Sequence, residues 1–259
     1  MALVKQEIRD GIGILTLDHP EKRNALGERM VEEILGRLTE LQVMKVPAVI
    51  LRAAEGGTVW SAGHDVRELP RSHRDPLGYY DSLERVLRAV QTYPGGVIAA
   101  VHGGVWGGAC DLVMSCDLVV GDETSSFAIT PAKLGLPYNA TGVLHFMNRL
   151  GLNIAKEMFF TADPITAERA ERVGILNHLV PAAKLMGVSM DLARSIASRS
   201  ALSVSVIKEQ LRVLSGAFPI SPEQFEQLQG LRRRVYDSDD YEEGITAFLA
   251  KRPPVFKGW

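Results

Sequence analysis

Short apolar runs alternate with helical patterns over the first two thirds of the chain. Residues 48–51 and 97–101 are continuously apolar and short, so each predicts a strand that is buried on both faces. Strands of this kind are typical of parallel sheets, in which successive strands are joined by crossover connections. The alternation therefore predicts an α/β fold in which layers of helix pack against sheet.

The pattern changes at both ends of the chain. Residues 3–9 and 12–17 alternate in polarity around Asp10-Gly11, which predicts a β-hairpin, and Asn24 is placed to cap a helix that runs to about Val43. The polar, proline-containing residues 67–78 predict a mobile loop or lid. From about residue 139 the pattern is helical to the end. We expect an α/β core over residues 1–195 and a helical region over 196–259 that folds over a neighbouring chain or a ligand.

Two glycine-containing segments each predict a tight turn that runs into a helix start. They are Ser61-Ala62-Gly63-His64-Asp65 and Gly104-Val105-Trp106-Gly107-Gly108-Ala109-Cys110-Asp111. A turn of this kind can direct a free backbone N–H outward. Two such donors that converge on one carbonyl oxygen would hold an enolate or a tetrahedral oxyanion, a reaction class that requires no metal or redox cofactor.

Composition excludes several classes of function. The 259 residues carry 29 basic and 31 acidic side chains, and the net charge of −2 gives no general attraction to nucleic acid or to an anionic membrane. No apolar run approaches the ~18 residues of a membrane helix, and no signal-peptide core is visible, so we expect a cytoplasmic protein. Cys110 and Cys116 lack zinc-ligand spacing, and the histidines show no metal pattern, so no metal site is expected.

Several short motifs, each weak alone, occur in an order and spacing that resembles the enoyl-CoA hydratase/isomerase (crotonase) superfamily over nearly the full length. They are Pro20-Glu21-Lys22-Arg23-Asn24-Ala25-Leu26, the two glycine segments, Cys116-Asp117, Thr166-Ala167 and Gly174-Ile175-Leu176-Asn177. The resemblance implies a spiral of repeated ββα units, a C-terminal helical trimerisation region and CoA-thioester substrates. It also implies that the backbone N–H groups of His64 and Gly108 form the oxyanion hole.

The resemblance further implies which residues bind the substrate. Lys22 and Arg23 would meet the CoA phosphates, with a plain solvated face as the equal alternative, and Lys251 would reach CoA at a subunit junction. The other residues implied to line the substrate site are Ala25, Ala62, Asp65, Val66, Trp106, Gly107, Pro131 and Phe248. CoA is then part of the substrate, so no separate cofactor is expected, and a homotrimer or a dimer of trimers is implied.

Two positions separate the reactions that this family performs. Its hydratases use two glutamates, which fall here on Asp111 and Pro131. Hydration needs a paired acid and base, and proline can supply neither. The segment from Thr130 to Asn139, together with Trp106, instead resembles the branch of the family that decarboxylates methylmalonyl-CoA to propionyl-CoA. That reaction leaves an enolate, which an oxyanion hole stabilises without a general base.

Two side chains are candidates for handling the departing carboxylate. We expect Tyr138 to hydrogen-bond and orient it, with Thr130 helping to select its position and Trp106 shielding it from water. The proton donor to the enolate is left open between water and the tyrosine. Two alternatives remain: hydration or isomerisation with Asp111 as the sole acid/base, and a non-catalytic acyl-CoA-binding scaffold.

Overall fold

The computed structural model describes residues 2–70, 74–216 and 221–258, and these form two sheets flanked by helices. The strands are β1 (Val4–Arg9), β2 (Ile12–Leu17), β3 (Ala48–Ala53), β4 (Val59–Ser61), β5 (Gly96–Val101), β6 (Gly104–Trp106), β7 (Leu118–Asp122), β8 (Ser126–Ala128), β9 (Ile165–Thr166) and β10 (His178–Val180). The larger sheet has the order β1-β2-β3-β5-β7-β10, and the smaller has the order β4-β6-β8-β9.

Parallel pairing dominates both sheets, as the buried apolar runs predict. Within the larger sheet, β1 pairs antiparallel with β2, whereas the pairs from β2 to β10 are all parallel. In the smaller sheet β4, β6 and β8 are parallel, and β9 runs antiparallel to β8. Every residue of β5 is buried, so this strand lies in the centre of the fold.

Ten helices accompany the strands in the described residues. They are α1 (Glu28–Val43), α2 (Ser82–Thr92), α3 (Gly108–Ser115), α4 (Ala140–Arg149), α5 (Leu152–Thr161), α6 (Ala167–Val173), α7 (Leu185–Ala197), α8 (Ala201–Ser215), α9 (Pro222–Tyr236) and α10 (Asp239–Leu249). None of them is long and apolar enough to span a membrane.

The strands and helices repeat as ββα units. In each unit the first strand joins the larger sheet, the second joins the smaller sheet, and a helix returns the chain: β3-β4-α2, β5-β6-α3 and β7-β8-α4. This is the spiral that the family resemblance implies. The units place the turns after β4 and β6 next to each other, because these two strands are paired in the smaller sheet.

Two expectations about local structure are wrong. Asn24 does not cap α1, which begins after Gly27. Asn24 instead has a left-handed backbone, φ 51°, and its side-chain amide donates to the Trp60 carbonyl at 2.9 Å. The region after residue 139 is not wholly helical either. It contributes β9 and β10, and β10 completes the larger sheet beside β7.

Loop 67–78 is anchored at both ends. Leu69 and Leu77 are buried, and Asp75 accepts two hydrogen bonds from Arg232 of α9 at 2.5 and 2.8 Å. Arg232 is itself buried, although the Arg232-Arg233-Arg234 run resembles an ordinary charged helix face. Residues 71–73 of the expected lid lie outside the described residues.

Candidate active site

The two glycine turns touch each other. Gly63 follows β4 with a positive φ of 83°, a region that favours glycine. A Cβ atom on Gly63 would overlap the carbonyl oxygen of Trp106 and would lie 2.9 Å from the amide nitrogen of Gly108. Glycine at this position therefore lets the first turn approach the backbone of the second.

The backbone amides of His64 and Gly108 lie side by side. A Cβ atom on Gly108, the first residue of α3, would lie 3.4 Å from the amide nitrogen of His64. Neither amide donates a hydrogen bond to any residue within 2–70, 74–216 or 221–258. The arrangement therefore offers two neighbouring N–H donors to one ligand oxygen, and the N-terminus of α3 adds its positive dipole end.

Residues 23–26, which we call the brace segment, hydrogen-bond to the first glycine turn. The Leu26 amide donates to the Gly63 carbonyl at 2.7 Å, and the Ala62 amide donates to the Arg23 carbonyl at 2.9 Å. Because these bonds engage the Ala62 amide and the Gly63 carbonyl, they hold the turn just before His64 and do not use the His64 amide.

The implied CoA-binding residues gather around this brace. Ala25 is half-buried beside Leu26, and the exposed Lys22 ammonium lies 3.4 Å from the carboxylate of Asp65. Asp65 also caps the short 3₁₀ turn Val66–Glu68 by accepting from the Arg67 amide. The structure thus brings together, near the first glycine turn, the residues Lys22, Arg23, Ala25, Ala62, Asp65 and Val66.

The His64 side chain borders a cavity of about 490 Å³. Other lining residues include Arg74 of loop 67–78, Tyr80 and Asp81 just before α2, and Ser82 at the start of that helix. Burial lowers the pKa of His64, and the nearby charges of Glu68, Asp65 and Asp81 offset the effect only in part. The lowered pKa favours the neutral imidazole.

Thr130 lies against the second glycine turn. Its hydroxyl oxygen is 2.9 Å from where a Cβ on Gly107 would be, and Gly107 has a positive φ of 53°. No described residue forms a hydrogen bond with this hydroxyl. Pro131 is buried and begins the 3₁₀ turn that follows, and the Trp106 ring packs on Gly104. The Thr130 hydroxyl, which has no partner among the described residues, thus lies beside Gly107, the residue that precedes Gly108.

Tyr138 does not point a free hydroxyl into the site. It donates to Oδ2 of Asp111 at 2.7 Å, while Nδ1 of His145 lies 2.6 Å from Oδ1 of the same carboxylate. Asp111 is 1% exposed. Burial raises the pKa of Tyr138 well above its ordinary value, and the charge of Asp111 raises it further, so the hydroxyl keeps its proton.

A second buried carboxylate stands close to this pair. Glu84 of α2 is 5% exposed and accepts from the side-chain amide of Asn139 at 2.5 Å. Burial raises the pKa of Glu84, and the charge of Asp111 adds to that effect, against the hydrogen bond from Asn139. Burial alone lowers the pKa of His145, but the hydrogen bond and charge of Asp111, with the charge of Glu84, raise it overall.

Two implied substrate residues lie at the C-terminal end of α10 and just after it. Phe248 is 55% exposed near the end of α10, and Lys251 is exposed just beyond it, with its amide donating to the Phe248 carbonyl. No hydrogen bond among the described residues links either one to the two turns.

Sequence reasoning did not find the groups that surround Asp111. The sequence pattern predicts only a packing or surface role for His145, and it gives no sign of a role for Glu84 or Gln91. Tyr138 lies two residues before α4, and His145 lies within that helix, seven residues later in the sequence. That spacing is a weak signal, because the partner on α3 lies 34 residues away.

The chain is similar to known proteins along nearly its whole length. The chain is 44% identical over 247 residues to methylmalonyl-CoA decarboxylase of Escherichia coli (strain K12), covering 95% of each. A solved methylmalonyl-CoA decarboxylase in complex with 2-nitronate-propionyl-CoA matches with TM-score 0.97 and 42% identity over 99% of both chains. Another, complexed with 2S-carboxypropyl CoA, matches with the same TM-score and identity over 100% of this chain and 99% of that one. A family model described as enoyl-CoA hydratase/isomerase matches residues 7–259, so the chain belongs to the enoyl-CoA hydratase/isomerase family.

Proposed function

We propose that this protein decarboxylates methylmalonyl-CoA to propionyl-CoA through an enolate. The observation that carries the proposal is the pair of adjacent amides of His64 and Gly108 with the hydroxyl of Thr130 beside them, all three without a hydrogen-bond partner among the described residues. The 44% identity to a methylmalonyl-CoA decarboxylase supports the choice of substrate.

The amides would supply the main catalytic effect. In the proposed step the C–CO₂ bond breaks and its electron pair moves onto the thioester carbonyl, whose oxygen becomes negative between the two N–H donors. Each donor of this kind contributes roughly 3–4 kcal/mol to stabilising the transition state. The bond that breaks must stand perpendicular to the thioester plane, so the second requirement is to position the carboxylate.

Thr130 and Tyr138 would position the carboxylate. The Thr130 hydroxyl is free to donate to it. Tyr138 can donate to it by rotating its O–H away from Asp111, a motion that leaves the aromatic ring in place. Trp106 would shield the carboxylate from water. The reaction needs no cofactor in this scheme, because the enolate is held by the protein alone.

Hydration fits the site less well. Pro131 occupies one of the two positions at which the family's hydratases carry glutamates, and proline has no acid or base. Asp111 occupies the other, and both of its oxygens are already engaged by Tyr138 and His145. An acid/base role for Asp111 alone would require it to leave these partners.

The CoA portion would bind over the brace segment. Lys22 and Arg23 are exposed beside the first glycine turn and would meet the phosphates, and Ala25, Ala62, Asp65, Val66 and Gly107 would line the path to the thioester. We further propose that Phe248 and Lys251 contribute to a CoA site of a neighbouring subunit, since both are exposed in the single chain.

We also propose that the chain assembles as a homotrimer or a dimer of trimers. None of the fifteen described residues of α8 is buried, although the helix is rich in apolar residues. The exposed apolar side chains of α8 and α9 are Leu202, Val206, Ile207, Leu211, Val213, Leu214, Phe225, Leu228, Leu231 and Val235. Such an extended apolar surface is typical of a protein interface. A monomer by light scattering would contradict this assembly.

A cytosolic location is part of the same proposal. Cys110 and Cys116 are both free and buried, which fits a reducing compartment.

The decisive experiment measures CO₂ release from malonyl-, methylmalonyl- and ethylmalonyl-CoA. We expect methylmalonyl-CoA to give the highest kcat/KM, with differences of about 10- to 200-fold for one methylene. Crotonyl-CoA serves as the second substrate, and water addition at an ordinary enzymatic rate would favour hydration instead. Tight binding of propionyl-CoA without CO₂ release from any of the three esters would indicate a scaffold.

A further inference from the structure

We propose that His145 is a positioning residue whose imidazolium neutralises Asp111, so that Tyr138 can transfer its hydrogen bond from Asp111 to the carboxylate of the substrate. The inference deepens the proposed function and rests on it. By this inference, His145 favours the binding of carboxylated acyl groups over uncarboxylated ones.

The first step of the argument is the competition for one proton. The Tyr138 hydroxyl has a single hydrogen, and that hydrogen is donated to Oδ2 of Asp111 at 2.7 Å. A substrate carboxylate can receive it only if Asp111 gives it up. Asp111, which is 1% exposed, then keeps His145 as its hydrogen-bond donor at 2.6 Å.

The second step is the cost of leaving Asp111 with one partner. A buried carboxylate that loses a hydrogen bond pays its desolvation penalty unless a charge compensates it. A neutral imidazole supplies one hydrogen bond and no charge, whereas an imidazolium supplies both. The protonated form of His145 therefore makes the release of Tyr138 possible.

The third step is the balance of charges that face His145. Asp111 of α3 and Glu84 of α2 favour the imidazolium, whereas Arg149, on the same helix as His145, opposes it. Arg88 of α2 lies 3.8 Å from Glu84 and partly balances it. The amide nitrogen of Gln91 lies 2.7 Å from Nε2 of His145. If the side-chain amide of Gln91 flips, its oxygen takes the place of its nitrogen and accepts a hydrogen bond from the second N–H of the imidazolium.

The consequence is a difference between two kinds of CoA derivative. A carboxylated acyl group brings a second negative charge towards Asp111, and a propionyl group does not. Loss of the imidazolium should therefore weaken binding of the carboxylated ligand alone. For two charges about 8 Å apart in an effective dielectric of about 20, the expected loss is at least about tenfold in affinity.

The test is calorimetric binding of two probes to the intact protein. 2S-carboxypropyl-CoA carries the carboxylate, and propionyl-CoA is the uncarboxylated control. His145→Asn keeps a side-chain N–H for Asp111 but cannot become charged. We expect this variant to bind 2S-carboxypropyl-CoA at least about tenfold more weakly and propionyl-CoA within about twofold of the wild type.

A second variant and a pH series complete the test. Adding Asp111→Asn to His145→Asn removes the uncompensated charge, so binding of 2S-carboxypropyl-CoA should recover to within about threefold. In the wild type, binding of this ligand should weaken as pH rises above neutrality, and in His145→Asn it should stay flat. Equal losses for both probes, or no loss for either, would overturn the proposal. Failure of CO₂ release by the wild type would instead refute the proposed function, because the binding comparison involves no turnover.

Discussion

The hydroxyl of Tyr138 donates to Oδ2 of Asp111 over 2.7 Å, so the tyrosine that faces the proposed carboxylate site is already paired inside the protein. A free tyrosine would donate to any substrate oxygen within reach. A paired one must exchange partners, and under the proposed function this exchange would connect catalysis to the buried pair of Asp111 and His145.

Replacing Tyr138 by Phe should lower kcat for methylmalonyl-CoA by about 10- to 100-fold, because the carboxylate loses a donor that orients it. Binding of propionyl-CoA should change little, since the ring remains. The measurement is steady-state CO₂ release together with calorimetry of propionyl-CoA. Unchanged turnover would remove Tyr138 from the mechanism.

Thr130→Val should also reduce turnover, by about tenfold or more, since the valine keeps the shape of the threonine and removes its free hydroxyl. Thr39→Val on the exposed face of α1 is the matched control, because the Thr39 hydroxyl donates only along its own helix. The same CO₂ assay compares both variants. Equal rates for wild type and Thr130→Val would show that this hydroxyl is not used.

Gly108→Ala should lower kcat by about 10²- to 10³-fold. The new methyl group would lie 3.4 Å from the His64 amide nitrogen, in the space that the thioester oxygen needs, and 2.8 Å from the flexible side chain of Leu83. Gly187→Ala in α7 is the control, because a Cβ there meets no atom within 4 Å. It should leave activity intact and stabilise the fold by about 0.5–1 kcal/mol. Full activity in Gly108→Ala would contradict the oxyanion site.

The His145–Asp111 pair should make stability depend on pH. The pKa of His145 is raised in the folded protein above the ordinary value of 6.5. The unfolded chain therefore loses this proton first as pH rises. The stabilisation is fully present below pH 6.5 and is lost as pH rises through the folded pKa, with a slope of at most about 1.4 kcal/mol per pH unit.

Urea unfolding of the wild type and His145→Asn at several pH values measures this effect. The difference in unfolding free energy between them should shrink above pH 6.5. His64, whose pKa is lowered, is present in both proteins and cancels in the difference. A difference that stays constant from pH 6 to pH 9 would show that the pair contributes no charge interaction.

Lys208→Met should destabilise the protein by about 1–3 kcal/mol. The Lys208 ammonium donates to the carbonyls of Val90 and Gly95 and to the carboxylate of Asp117 at 2.7 Å, which attaches the otherwise exposed α8 to the core. Lys156→Met in α5 is the control, since Lys156 is exposed. Urea unfolding at neutral pH compares the two, and equal stabilities would show that Lys208 does not anchor α8.

Features that depend on neighbouring residues can be predicted from the amino-acid sequence. The Asp10-Gly11 hairpin, the buried strand β5 and the glycine turn at Gly63 follow from local conformational preference and from the period of apolar residues, and the family motifs follow from their spacing. The strand β10 was missed, because its three residues gain their stability from pairing with β7, 58 residues away in the register.

Contacts between distant side chains depend on how the helices and strands pack. Asparagine is a favoured helix cap, but the side-chain amide of Asn24 donates instead to the carbonyl of Trp60, 36 residues later. Asp111 and His145 are 34 residues apart, and their contact depends on how α3 packs against α4. Hydrogen bonds and charges in a buried cluster are set by distances between elements. A linear pattern of residue types does not contain those distances, whereas backbone preferences act within a few residues and are written directly in the sequence.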